Sequence, residues 1–69
     1  MKRTTLAQRI RDARDAKGLT QAETDWKAGL CYGTVSHYEN GRREPRMKAL
    51  RALAKALGVR VADLAPDDE

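Results

Sequence analysis

Apolar residues recur along this chain at helical spacing, and each run is bracketed by residues that start or stop helices. Leu6, Ile10 and Ala13 lie three or four residues apart, which puts them on one helical face. Thr5 followed by Gln8 reads as a capping box, and Lys17-Gly18 reads as a stop, predicting a first helix over about 5–17. Thr20 and Glu23 form a second box, opening a helix over about 21–28 that Gly29 closes. After Leu30 a third short helix is predicted over about 32–39, ended by Asn40-Gly41. Val35 and Tyr38, three apart, should face inward over Ala28 and Leu30. Tyr32, Gly33, Ser36 and His37 then face outward, with Thr34 towards the edge. Met47, Leu50, Leu53, Ala54 and Leu57 share one face of a fourth helix over about 46–57. Gly58 ends it, and Val59, Val61 and Leu64 suggest a last helical turn before Pro66.

The expected class is all-α, a compact bundle of four to five short helices. The core belongs to 5–65, with 1–4 as an N-terminal arm and 66–69 as an acidic tail. Leu and Ala, both strong helix formers, dominate the apolar residues, and Phe is absent. The helices on either side of Gly29 are too short to bury an apolar stripe alone. They must pack on each other and on the first helix, and a glycine in the turn allows a steep crossing, the geometry of a helix-turn-helix.

Charge adds a direction. The chain carries 14 basic and 10 acidic side chains, but three of the acids are Asp67, Asp68 and Glu69. Between Arg42 and Lys55, six basic residues face Glu44 alone. Such a cluster is either a solvated surface or the footprint of a nucleic acid. Other chemistries lack their residues. One cysteine, Cys31, cannot form an internal disulfide, and one His with one Cys makes no zinc site. No metal or cofactor is expected, and His37 has no identifiable nucleophile to serve, so the chain is not expected to be an enzyme. No apolar run is long enough to span a membrane, and the expected location is the reducing cytoplasm.

The segments Leu19-Thr20-Gln21, Lys27-Ala28-Gly29-Leu30, Thr34-Val35-Ser36, Glu39-Asn40-Gly41 and Pro45 occur in a set order. They continue through Leu50, Leu53, Ala54-Lys55-Ala56-Leu57-Gly58-Val59 and Leu64. In that order and spacing the chain resembles the phage-repressor/Cro (XRE-type) helix-turn-helix family, over about Leu6 to Leu64. The resemblance implies a lambda-repressor-like fold with its helix-turn-helix at helices 2 and 3. It implies base-facing positions at Tyr32, Gly33, Thr34 and His37, and phosphate contacts at Gln21, Ser36, Asn40, Arg42, Arg43 and Arg46. Arg14 and Glu39 match an ion pair tying helix 1 to helix 3, which either fixes a guanidinium near the DNA backbone or is a purely structural bridge. Tyr32 and His37 are either base or phosphate contacts or idle surface groups. Lys2 and Arg3 are either an arm on the DNA backbone or disordered.

The chain departs from the family pattern at helix 2. Thr24 stands where Leu is usual, and Asp25 where a small apolar residue is usual. A carboxylate buried there is costly without a partner: either helix 2 is rotated, or Asp25 finds a hydrogen bond from an Arg or a backbone donor, or the domain is only marginally stable. Trp26 is expected to cover apolar surface; the alternative is contact with a protein partner. Cys31, Arg46 and Arg60 stand where Ser is usual at helix starts, each a weak cap. The expected function is a repressor of transcription that binds double-stranded DNA at a palindromic operator as a homodimer. Val59, Val61 and Leu64 are the expected dimer surface, as apolar residues too distal for the core. The alternatives are an antitoxin, a restriction-modification controller, or a helix-turn-helix turned to protein interaction.

Overall fold

A computed structural model describes residues 5–65; the N-terminal arm and the acidic tail lie outside them. Among the described residues there are five helices and no strands. They are α1 (Leu6–Lys17), α2 (Gln21–Ala28), α3 (Thr34–Glu39), α4 (Met47–Leu57) and α5 (Val61–Leu64).

Local chemistry sets most of the boundaries. The Thr20 hydroxyl accepts the Glu23 N–H at 3.0 Å, and the Glu23 carboxylate accepts the Thr20 N–H at 2.8 Å, a complete capping box. At α1 only half of the expected box forms. The Thr5 hydroxyl accepts the Gln8 N–H at 3.1 Å, but the Gln8 amide donates to Asp12, one turn on, at 2.9 Å. Gly29, with φ +70°, closes α2 in the left-handed conformation, where a side chain would be strained. At α5 the Asp63 carboxylate accepts the Arg60 N–H at 3.0 Å and the Arg60 carbonyl accepts the Asp63 N–H at 3.0 Å, which ties the short turn from both sides.

Ile10, Val35, Tyr38, Leu50, Leu53, Ala54, Leu64 and Ala65 form one buried cluster drawn from α1, α3, α4 and the α5 end. Each fully buried Leu, Ile or Val contributes about 1.5–3 kcal/mol. α2 lies against α3 and α4 yet buries no large apolar side chain; its buried residues are Thr24 and Asp25. The Thr24 hydroxyl donates to the Thr20 carbonyl at 2.9 Å, which satisfies it within its own helix. Towards α3, α2 is bonded through Gln21 and Asp25, while part-buried Ala28 packs against the core.

Two expectations fail here. Leu64 is only 1% exposed and belongs to the core, because α5 folds back onto α1 and α4. It has no surface to offer a second copy, while Val59 and Val61 remain part-exposed at the edge of the same cluster. Trp26 is 81% exposed and covers little apolar surface, because the buried side of α2 is the one that carries Thr24, Asp25 and Ala28.

Candidate nucleic-acid interface

The sequence places Val35 and Tyr38 on one side of α3 and Thr34, Ser36 and His37 elsewhere around it. In the structure Val35 and Tyr38 are 0% and 6% exposed. His37 is exposed, and Thr34 and Ser36 are part-exposed. α3 thus presents a polar outer face, and beside it the Cys31–Gly33 turn carries Tyr32, 88% exposed. This turn corrects the expected helix start, which moves from Tyr32 to Thr34.

The cause is Asp25, a buried carboxylate 2% exposed. Its Oδ2 accepts the Gly33 N–H at 2.9 Å and its Oδ1 accepts the Val35 N–H at 2.8 Å. Of the two partners open from the sequence, Arg or backbone, it is the backbone. Gly33, at φ +90°, makes no side-chain cap of its own, so the first turn of α3 is capped from α2. A negative charge there also suits the positive end of the helix dipole. Gly33 has no side chain, and its one N–H is spent on Asp25, so it leaves clearance for a groove and no donor.

The far end of α3 is held by a second buried acid. The Glu39 side chain is fully enclosed. It accepts Arg14 Nε at 2.6 Å, Arg14 Nη2 at 3.1 Å and Gln21 Nε2 at 3.0 Å. Arg11 Nε approaches at 3.4 Å, and Arg14 Nη1 donates to the Leu19 carbonyl at 2.8 Å. One carboxylate thereby joins α1, the start of α2 and the end of α3. Burial opposes the Glu39 charge, but the Arg14 and Gln21 hydrogen bonds outweigh it and hold the carboxyl below the usual carboxylate range. The same bond raises the Arg14 guanidinium further above its ordinary value. Arg11 joins this cluster without a local sequence signal, since helical periodicity cannot show which exposed arginine meets another helix.

After α3 the chain turns tightly. The Asn40 side-chain oxygen accepts the Arg42 N–H at 3.1 Å, and the His37 carbonyl accepts both the Arg42 and Arg43 N–H groups at 2.9 and 3.3 Å. This loop and the start of α4 leave Arg42, Arg43 and Arg46 exposed. Among the described residues none of the three pairs with a carboxylate. Gln21 sits at the start of α2 with one amide N–H engaged by Glu39. A cleft of about 380 Å³ runs between it and the turn, lined by Gln21, Asp25, Tyr32, Gly33 and Ser36. Gln21, Tyr32, Thr34, Ser36, His37 and the loop arginines therefore come from adjacent elements: the α2 start, the turn, α3 and the loop.

No helix among the described residues is long and apolar enough to cross a membrane. No cluster of three potential metal-ligating side chains occurs among them.

Comparison with known proteins gives a consistent picture. An uncharacterised HTH-type transcriptional regulator of Sinorhizobium fredii is 44% identical over 57 residues, covering 81% of this chain and 74% of that protein. The RstR transcriptional repressor of cryptic phage CTXphi, from Vibrio cholerae, is 35% identical over 64 residues, covering 93% of this chain but only 58% of the repressor. The P22 c2 repressor, solved in complex with a synthetic operator, superposes with a TM-score of 0.83 at 29% identity, over 94% of this chain and all of that one. A family profile described as helix-turn-helix matches residues 10–64. The chain belongs to the helix-turn-helix family of the phage-repressor, XRE type.

Proposed function

We propose that this chain is a sequence-specific regulator of transcription, a repressor, that reads double-stranded DNA with the outer face of α3. The observation that carries this reading is the two-sided character of α3: Val35 and Tyr38 are buried, while Thr34, Ser36 and His37 face out beside exposed Arg42, Arg43 and Arg46. A helix so presented fits a major groove, and the cationic loop fits the phosphates at its rim. Tyr32, Thr34 and His37 are assigned to base edges, and Gly33 to close approach. Ser36, Asn40, Arg42, Arg43 and Arg46 are assigned to phosphates, with Gln21 at the α2 start, where backbone N–H groups favour an anion. The repressor role is supported by the relatives named above.

The test is selection of bound duplexes from a random DNA library, repeated with single variants. Thr34→Ala and His37→Ala should each relax or change the preferred base at one position, costing about 1–3 kcal/mol on the selected site. Arg43→Ala should weaken selected and random DNA alike. Equal losses on both DNAs for every α3 substitution would remove base readout, and no binding at low salt would remove the function.

One α3 reads only a few base pairs, too little to find a site in a genome, so the active form is a homodimer on half-sites about 34 Å apart. Val59 and Val61, part-exposed, are the remaining candidates for its surface. Sedimentation at high micromolar concentration with the selected duplex should show two protomers per site. A single protomer on a non-palindromic site rules the dimer out.

A further inference from the structure

The helix that carries the base-facing residues is six residues long, well below the length at which a helix holds itself together in water. Its position must come from what grips its ends. Glu39 grips the C-terminal end; at the N-terminal end the grip is Asp25, where the family pattern has a small apolar residue. Each oxygen of this carboxylate takes one N–H, Gly33 on Oδ2 and Val35 on Oδ1. Two bonds from one planar group restrain rotation of α3 as well as its displacement. They also fix Gly33 in the left-handed conformation, so the Cys31–Gly33 segment is a turn and Tyr32 stands outside the helix. No local side chain duplicates this cap.

We propose that Asp25 is a specificity-determining positioning residue: by holding the Gly33 and Val35 N–H groups from α2, it fixes where α3 begins and which side chains between Tyr32 and His37 reach the base edges. The proposal rests on the reading of α3 as the element that enters the DNA groove. A base contact tolerates displacements of only about 0.5 Å. If the carboxylate is lost, the turn can wind into helix, at about 100° per residue, or α3 can tilt against α2, and both outcomes exceed that tolerance. The carboxylate also offsets the positive end of α3, so the start of that helix is no phosphate site.

Asp25→Asn keeps the shape but accepts only one of the two N–H groups and turns its own NH₂ towards the other. Asp25→Ala removes both bonds. Leu57→Ala serves as the control, since Leu57 is buried on α4 outside the cluster that holds α3. Each protein is compared at a temperature where urea titration shows it fully folded. Both Asp25 variants should lose about tenfold or more of the ratio between selected and random DNA affinity. Affinity for random DNA should stay within about threefold, and Leu57→Ala should keep the ratio. Amide exchange gives a second readout that needs no DNA. The Gly33 and Val35 amides should exchange about tenfold faster or more in Asp25→Asn, with α1 and α4 unchanged. A folded Asp25→Asn with the wild-type ratio and base ranking overturns the proposal, as does an equal loss of ratio in Leu57→Ala or unaltered exchange. Wild-type protein that binds no duplex fells the DNA reading and this role together, and the exchange result still decides whether Asp25 anchors α3.

Discussion

Glu39→Ala is expected to destabilise the domain by about 3–5 kcal/mol, the cost of leaving a buried charge without its partner. A chain of 69 residues holds about 3–10 kcal/mol of stability in total, so the variant should lose a large share of it and unfold at much lower urea. Size of effect follows from geometry. The Glu39 side chain is fully enclosed and that of Arg14 is 13% exposed, so little solvent is available to take over either charge. Three helices meet at the carboxylate, and removing it also strands the Gln21 amide. The exposed Arg60–Asp63 pair is the contrast, since breaking a surface pair costs at most about 1 kcal/mol. Urea denaturation of Glu39→Ala, Arg14→Ala and the double variant measures both size and coupling. The single losses should overlap strongly, with a double variant little worse than either. A loss below about 1 kcal/mol for Glu39→Ala would show that the bridge is dispensable.

The same carboxylate fixes the acid response. The folded-state pKa of Glu39 is depressed, so the unfolded chain binds its proton more readily than the folded one. Its contribution is complete above the unfolded value of about 4.3. It is lost as pH falls through the lower folded value. Glu23 and Asp63 are shifted in the same direction by their cap bonds, but both are solvent-facing and drain little. Stability against urea should therefore decline below about pH 4.3, and Glu39→Gln should flatten that decline. An unchanged slope would assign the acid sensitivity elsewhere.

What could be read from the sequence divides by range. The capping box at Thr20 and the glycine stop at Gly29 involve partners three or four residues apart, and composition supplies both. The inward pair Val35 and Tyr38 follows from period alone. The start of α3 does not, because its cap lies eight and ten residues back in another helix; the sequence shows only that Asp25 needs a partner. Leu64 misleads for a related reason. Periodicity marks an apolar face without saying what covers it, and distance along the chain is a poor guide when α5 folds back onto α1. Trp26 is the reverse case, a large apolar side chain on the side of α2 that the core does not use. At Gln8 the capping amide had a competitor, Asp12, one turn along the same helix. Base-facing and phosphate-facing roles come from family resemblance, since a polar outer face alone does not say which duplex atoms it meets.

Salt should act on DNA affinity on the same scale as the loss of the Glu39 carboxylate acts on stability. Arg42, Arg43 and Arg46 lie exposed beside α3, and two protomers would bring about six such guanidinium groups to phosphates before any other contact is counted. Each phosphate neutralised releases condensed counterions, so the logarithm of the binding constant falls with the logarithm of salt at a slope near −0.9 per contact. Six contacts give a slope of about −5, and a fourfold rise in salt from 50 to 200 mM should cost about 10³ in affinity; ten contacts bring the loss to about 10⁵. Arg43→Ala removes two contacts per dimer and should lower the slope by about 2, equally on selected and random duplexes. Thr34→Ala should leave the slope unchanged while altering base preference, because a base-edge contact releases no counterion. Titrations at four salt concentrations on both DNAs separate the two classes of contact. A slope shallower than about −2 in the wild type means that the loop arginines do not sit on phosphates, and the orientation of α3 on the duplex must then be reassigned.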